Sequence, residues 1–260
     1  MTSINTNVGA LIALRNLNLT NVELEKVQDR VSTGFKVIGP KDDASNFSIA
    51  QGLRADLKAF DAVQQSLSAG RGVVAAAIAG AENLSNLLAE MKQKVIQAAN
   101  PANTSNQQSI LSADFDNMVQ QLNAFVTNAV YNGRNIISSG SGSVSITSTI
   151  TGGQLTIVNA STLGGVSTAL SSGVATTTGA LALLTAVTAQ ELIVGTALGT
   201  LGANAKNIDF QSTFSRTLSD AVTEGLGALV DADLAKESAK LQALQVKQQL
   251  GVQALSIANK

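Results

Sequence analysis

The chain has 260 residues with 17 basic and 18 acidic side chains, a formal charge of −1, which leaves no cation excess to displace counterions from a nucleic acid. It contains no His and no Cys, which excludes Ser–His and metal–His catalysis, disulfides and thiolate metal sites. Hydrophobic residues reach 45% but aromatics only 3%, with no Trp; this Ala, Leu, Val and Ile content suits helix–helix seams better than a bulky core.

The opening apolar run Val8-Gly9-Ala10-Leu11-Ile12-Ala13-Leu14 has no cationic segment before it and ends at Arg15, so it does not read as a secretory signal. Pro occurs only at positions 40 and 101, leaving long intervals free to stay helical. The first helix is expected over residues 4–33. Its apolar positions are Ile4, Val8, Leu11, Leu17, Leu24, Val27 and Val31, and the sevenfold spacing of Leu17, Leu24 and Val31 marks an a/d stripe. Residues 35–45, with Gly39-Pro40 and Asp42-Asp43, read as a break.

A second helix is expected from about 47 to 99. Leu53, Leu57, Phe60, Gln64, Leu67, Arg71, Val74, Ile78, Ala81, Ser85, Leu88, Lys92 and Val95 follow in alternating steps of four and three. At ~1.5 Å per residue it would be roughly 75 Å long. Gly70, Gly72 and Gly80 inside it either admit a close neighbour or mark a bend. A third helix, about 105–131, shows the clearest heptad: Leu111, Phe115, Met118, Leu122, Phe125 and Ala129. It ends at the turn signal Tyr131-Asn132-Gly133.

Residues 138–178 are rich in Ser, Thr and Gly. Val144 and Ile146, then Leu155 and Ile157, alternate with polar residues around Gly152-Gly153, which predicts a β-hairpin in a short polar insertion. Helical periodicity resumes near 179 and runs to the end. There Leu234, Leu241, Gln248 and Leu255 repeat at seven with Leu244 between. The stretch Ala180–Leu201 is the nearest to a membrane span, but Gln190-Glu191 interrupts it and no membrane insertion is expected. Glu23–Lys26 and Glu237–Lys240 have the spacing of opposite-sign pairs within a helix.

The expected architecture is mainly α: an elongated antiparallel helical bundle or coiled-coil rod with a small β-rich insertion. Stripes this long cannot all be buried within one rod, so the terminal ones are expected to find partners in other subunits. No enzyme or cofactor site emerges. Asp42-Asp43 and Asp231-Ala232-Asp233 read as turn or helix-start carboxylates before metal ligands. Gly195, Gly199 and Gly202 lack the Lys and the preceding strand of a phosphate loop. The sequons at Asn18, Asn83, Asn103 and Asn159 read as chance, and Ser and Thr of 138–178 as more plausible O-glycan acceptors. No acid, base and nucleophile are assembled.

Several segments carry a specific likeness. Ser3-Ile4-Asn5-Thr6-Asn7, Val31-Ser32-Thr33-Gly34-Phe35-Lys36-Val37, Lys41-Asp42-Asp43-Ala44 and Ile49-Ala50-Gln51-Gly52-Leu53 resemble bacterial flagellin. So do Gln97-Ala98-Ala99-Asn100, the Tyr131-Asn132-Gly133 turn, and the end from Gln248-Gln249-Leu250-Gly251 to Ala258-Asn259. The small insertion and residues 229–238 look most like the short flagellins of alphaproteobacteria. The resemblance implies a structural subunit that polymerises into the extracellular flagellar filament for swimming motility. It implies export through the flagellar type III apparatus without a cleaved signal.

The resemblance also implies three regions: 1–42 with 232–260 as terminal helices of the inner filament core, 43–138 with 184–231 as the outer-core helical rod, and 139–183 as a variable insertion. The filament-core interface would then use Ile4, Val8, Leu11, Leu17, Leu24, Val27, Val31, Leu234, Leu241, Leu244 and Leu255. Implied partners are other flagellin subunits, the cap, hook-associated proteins and the export apparatus with its chaperone. In the stretch read by the mammalian flagellin receptor TLR5, Leu88 to Val95, this chain has Glu90 and Lys94 where the family has Arg and an apolar residue. Gln93 stands for the family's Glu, so weak or no recognition is expected. Family members usually continue past the final Ala-Asn, whereas this sequence closes at Asn259-Lys260. The alternatives are a hook–filament junction protein, distinguished by few copies, and a coiled-coil secreted adhesin, distinguished by a closed oligomer.

Overall fold

A computed structural model describes residues 7–258, which hold six α-helices and one two-stranded sheet. In order these are α1 (Val8–Thr33), α2 (Ala44–Ala98), α3 (Ser105–Asn128), β1 (Val144–Thr147), β2 (Gln154–Ile157), α4 (Val166–Ala169), α5 (Thr177–Val230) and α6 (Leu234–Ala258). A 3₁₀ turn, Ser161–Gly165, precedes α4. The chain forms two compact units, residues 1–58 with 219–260 and residues 59–218.

In the first unit α1 lies antiparallel to α6, since Gln248 donates to Asn21 at 2.8 Å while Arg30 pairs with Glu237 at 3.4 Å. Asn7 caps the start of α1 by accepting from the Ala10 N–H at 3.1 Å. Gly34 ends it at φ 76°, a left-handed conformation that only Gly adopts without a Cβ penalty. The chain then crosses to 230–232: the Lys36 N–H donates to the Val230 carbonyl and the Ala232 N–H to that of Gly34. Val37, Ala50 and Val230 make a small core there with Phe47, Leu226 and Leu229.

The second unit holds the main core. Along α2 the buried positions are Phe60, Val63, Leu67, Gly70, Val73, Val74, Ala77, Gly80, Ala81, Leu84, Leu88, Met91, Val95 and Ala98. Half of the expected stripe is therefore kept, at 60, 67, 74, 81, 88 and 95. The other half moves back by one residue, because 63, 70, 77, 84 and 91 point inward rather than 64, 71, 78, 85 and 92. The displaced polar residues flank the seam and bridge to α5. Gln64 donates to the Ser212 carbonyl and accepts from its hydroxyl, Arg71 pairs with Asp209, and Lys92 meets Glu191 at 2.6 Å. In α5 the seam runs Ala180, Leu183, Val187, Gln190, Val194, Ala197, Leu201, Asn204 and Ile208, again in steps of three and four.

The glycines of α2 serve close packing. A Cβ on Gly80 would stand 2.8 Å from Ala129 Cβ and 2.9 Å from Ile137 Cδ1, and one on Gly70 would meet Ile146 Cδ1 at 2.5 Å. α3 begins with a reciprocal capping box between Thr104 and Gln107. It buries Phe115, Leu122 and Val126. Past it, Tyr131 and Arg134 exchange both backbone hydrogen bonds at 2.9 Å around Asn132 (φ 47°) and Gly133 (φ 74°).

The insertion is more deeply integrated than its composition suggests. β1 and β2 pair antiparallel with Val144 opposite Ile157. Ile146 and Ile157, then Leu163, Val166, Leu170 and Val174, belong to the same core as α2, α3 and α5. Asn204 locks the region to α5: its carboxamide accepts from the Val158 N–H and donates to the Val158 carbonyl at 2.7 Å.

α5 and α6 are separate helices divided at 231–233, where Asp233 accepts from the Ala235 and Lys236 N–H groups and so starts α6, the helix-start role expected of these carboxylates. One sequence expectation is corrected. α2 and α5 contain windows long and apolar enough to cross a membrane by length and composition. Counting uninterrupted apolar residues missed them because Ala, Gly and Thr are interleaved. Part of each window forms the seams just described, while Leu181 and Leu192 of α5 stay exposed.

Candidate assembly interface

α1 carries apolar side chains on two faces. One face lies along α6: Thr20 and Val27 are buried, and Ala13, Leu17, Leu24 and Val31 are half-buried. The facing positions of α6 are Leu241, Leu244, Gln248, Gly251 and Leu255, of which Leu244 is buried. A Cβ on Gly251 would come within 3.2 Å of Leu17 Cδ1, so the two helices approach closely at this small residue. The other face is bare. Val8, Leu11 (54% exposed), Ile12, Leu14, Leu19 and Val22 (66%) stand in solvent, as do Leu234, Val246, Leu250, Val252 and Ile257 (76%) of α6.

The residues expected at the interface thus divide between two surroundings. Leu17, Leu24, Val27, Val31, Leu241, Leu244 and Leu255 are covered at least in part by the chain's own opposite terminal helix. Val8, Leu11 and Leu234 are open. Ile4 lies outside the described residues. Sequence reading missed Ile12, Leu14, Leu19, Val22, Val246, Leu250, Val252 and Ile257 because it followed one heptad stripe. The available signal was width: a helix with apolar residues well beyond one stripe has more to bury than one neighbour can cover.

Charges tie the two terminal helices together rather than bracing each one internally. The expected pairs Glu23–Lys26 and Glu237–Lys240 are replaced by Lys240–Glu23 at 3.0 Å, Lys26–Asp42 at 3.1 Å and Arg30–Glu237 at 3.4 Å. The tertiary partners win because they come from facing segments. The Lys240 ammonium donates to Glu23 and holds its carboxyl below the ordinary value, as Lys26 does for Asp42. Asp43 accepts from the Asn46 N–H at the start of α2, which lowers it too. The acidic pairs singled out from sequence therefore serve turns, caps and ion pairs. Among the described residues no group of three or more acidic side chains is placed to hold a metal ion.

An exposed aliphatic surface of this extent performs no bond chemistry; it drives burial. The fold thus defines a class, a helical structural protein whose paired terminal helices leave apolar side chains uncovered. Residues 4–141 match the model of the bacterial flagellin N-terminal helical region, and residues 184–260 match that of the C-terminal helical region. The chain is 38% identical over 260 residues to flagellin FljM of Caulobacter vibrioides, covering all of this chain and 95% of that one. It is 36% identical over 274 residues to a flagellin of Brucella melitensis, covering all of this chain and 96% of the relative. A putative flagellar hook-associated protein from Vibrio parahaemolyticus has a similar fold, with TM-score 0.61 at 14% identity over 73% of this chain and all of that one. The chain belongs to the bacterial flagellin family, and its function is that of a structural subunit of the flagellar filament.

Proposed function

We propose that assembly is driven by the uncovered face of the α1–α6 pair, with residues 1–42 and 232–260 forming the inner filament core. Residues 43–138 with 184–231 form the outer helical layer, and 139–183 the variable insertion. The supporting observation is the bare row Val8, Leu11, Ile12, Leu14, Leu19 and Val22, continued on α6 by Val246, Leu250, Val252 and Ile257. Burying such side chains contributes roughly 25 cal/mol per Å². Within this reading Val8, Leu11 and Leu234 meet neighbouring subunits directly. Ile4 belongs to the same core. Leu17, Leu24, Val27, Val31, Leu241, Leu244 and Leu255 act indirectly by holding the pair together.

The same reading includes export through the flagellar type III apparatus, which removes no leader, and a chaperone, cap and hook-associated proteins as partners. It includes no catalysis, no nucleic-acid partner and no membrane insertion. Activation of TLR5 is weak or absent, because Glu90 and Gln93 are exposed with altered charge and Lys94 is engaged with Asp114 at 2.5 Å. A charge mismatch in a desolvated contact opposes binding.

The decisive experiment compares Leu11→Asp with Leu241→Asp in seeded polymerisation of purified protein. Leu11→Asp should abolish filament growth and leave the thermal unfolding of the monomer unchanged, since its side chain touches little within the chain. Leu241→Asp should abolish growth and also loosen the α1–α6 pair. Normal filaments from Leu11→Asp would remove the uncovered face from the assembly surface.

A further inference from the structure

A second apolar surface lies far along the chain from the terminal helices. In α5, Lys206, Phe210, Phe214 and Leu218 follow one another at four-residue steps on a solvent-facing side. Phe210 is 71% exposed and Phe214 56% exposed. Position 210 points opposite the seam residues Ile208 and Ser212, from which it is separated by two residues, or about 200° of helical rotation. Among the described residues none covers the ridge fully. Two bare phenylalanines one turn apart are unusual in a chain with only seven Phe in total.

The outer side of α2 has the complementary character. Ser68, Ala69, Ala75, Ala79 and Ala89 are exposed and small, which leaves a shallow shelf along the helix. Asp61, Glu82 and Glu90 on this outer side are exposed and enter no ion pair among the described residues. Lys206 likewise has no ion-pair partner among the described residues. The spacing matches as well. Lys206 sits one turn from Phe210, and Glu82 sits one turn from Ala79 and two from Ala75.

We propose that the Phe210–Phe214 ridge of α5 seats on the Ala75–Ala79 shelf of α2 in a second copy of this chain, with Lys206 facing Glu82 of that copy. The proposal rests on the subunit reading above and adds a contact outside the terminal helices. The two surfaces differ, one an aromatic ridge beside the unpaired Lys206, the other a shelf of small side chains beside the unpaired Glu82, while the neighbouring Arg71 and Asp209 are joined to each other within the chain. Such a contact is heterologous and repeats from copy to copy, as an open helical polymer requires, rather than closing a twofold dimer. The aromatic side chains supply the area to be desolvated and the charge pair fixes register.

The test measures the critical concentration for seeded growth of the full chain by sedimentation, with circular dichroism and thermal melting of each monomer as the folding control. Phe210→Ala with Phe214→Ala should raise the critical concentration about tenfold or more while the monomer melts as the wild type does. Lys206→Glu and Glu82→Lys should each raise it, and the double variant carrying both reversals should return towards the wild-type value. Wild-type growth by the double Phe variant would overturn the ridge. A double reversal no better than either single variant would overturn the pairing. Failure of the wild-type chain itself to polymerise would instead strike the underlying subunit reading.

Discussion

In the second unit, Phe115, Leu122, Leu84, Leu88 and Met91 are wholly shielded by α2, α3, α5 and the insertion. Along the α1–α6 pair of the first unit, only Thr20, Val27 and Leu244 reach that class. Their neighbours Leu17, Leu24, Val31 and Leu241 remain half open. One region closes a core from its own helices, although Leu192, Phe210 and Phe214 stay exposed on its surface. The other fills only part of its apolar surface from its own chain, so its stability is coupled by mass action to what binds the remainder.

The sharpest way to break this contrast is a pair of truncations. Phe115→Ala should cost about 3–5 kcal/mol of monomer stability in denaturant unfolding, as expected for an aromatic removed from a closed core. Leu24→Ala should cost clearly less in the monomer, because that side chain is already partly open to water. Equal losses in the two variants would erase the distinction.

A second comparison uses glycines at close approaches in each unit. Gly80→Ala places a methyl against Ala129 and Ile137, where overpacking costs about 1–3 kcal/mol. Gly251→Ala meets only the flexible tip of Leu17 at 3.2 Å. There the gain in helix propensity, up to ~1 kcal/mol, should offset the strain. Thermal melting of the two variants reads the difference directly.

The smallest effect concerns acid. Glu23, Asp42 and Asp43 in the first unit are held below their ordinary values by Lys240, Lys26 and the Asn46 N–H respectively. A depressed carboxylate stabilises the fold above its unfolded pKa, about 4, and that contribution is lost as pH falls through the lower folded value. Hydrogen exchange should therefore show α1 and α6 loosening at acid pH before α3 does. Glu23→Gln should flatten part of that response, and an unchanged profile would count against the Lys240 contact.

How far the chain was legible follows from the size of its residues. Helix boundaries and the β-hairpin could be read from periodicity and turn residues, and the flagellin likeness from short motifs at both ends. The α2 register was only half legible, because its shifted positions include Gly70 and Ala77, small residues that carry no hydropathy signal. Arg71 and Lys92 extend the apparent heptad while actually reaching sideways to Asp209 and Glu191. The insertion looked like a polar tip because Leu163, Val166, Leu170 and Val174 are diluted by Ser, Thr and Gly, though all four are buried. The uncovered face of α1 was least visible, since apolar spacing shows which residues want burial but not whose atoms provide it.

The Asn21–Gln248 and Arg30–Glu237 contacts join positions 227 and 207 residues apart in sequence. A clasp with this separation closes a very long loop, and its entropy cost falls due before any local reward. The seam of α2 with α5 already joins residues 99 to 148 apart, and the two extremities meet across a still longer loop, only when the final residues have arrived. Until that moment each terminal strip is a single unfastened half, and fastening completes the part.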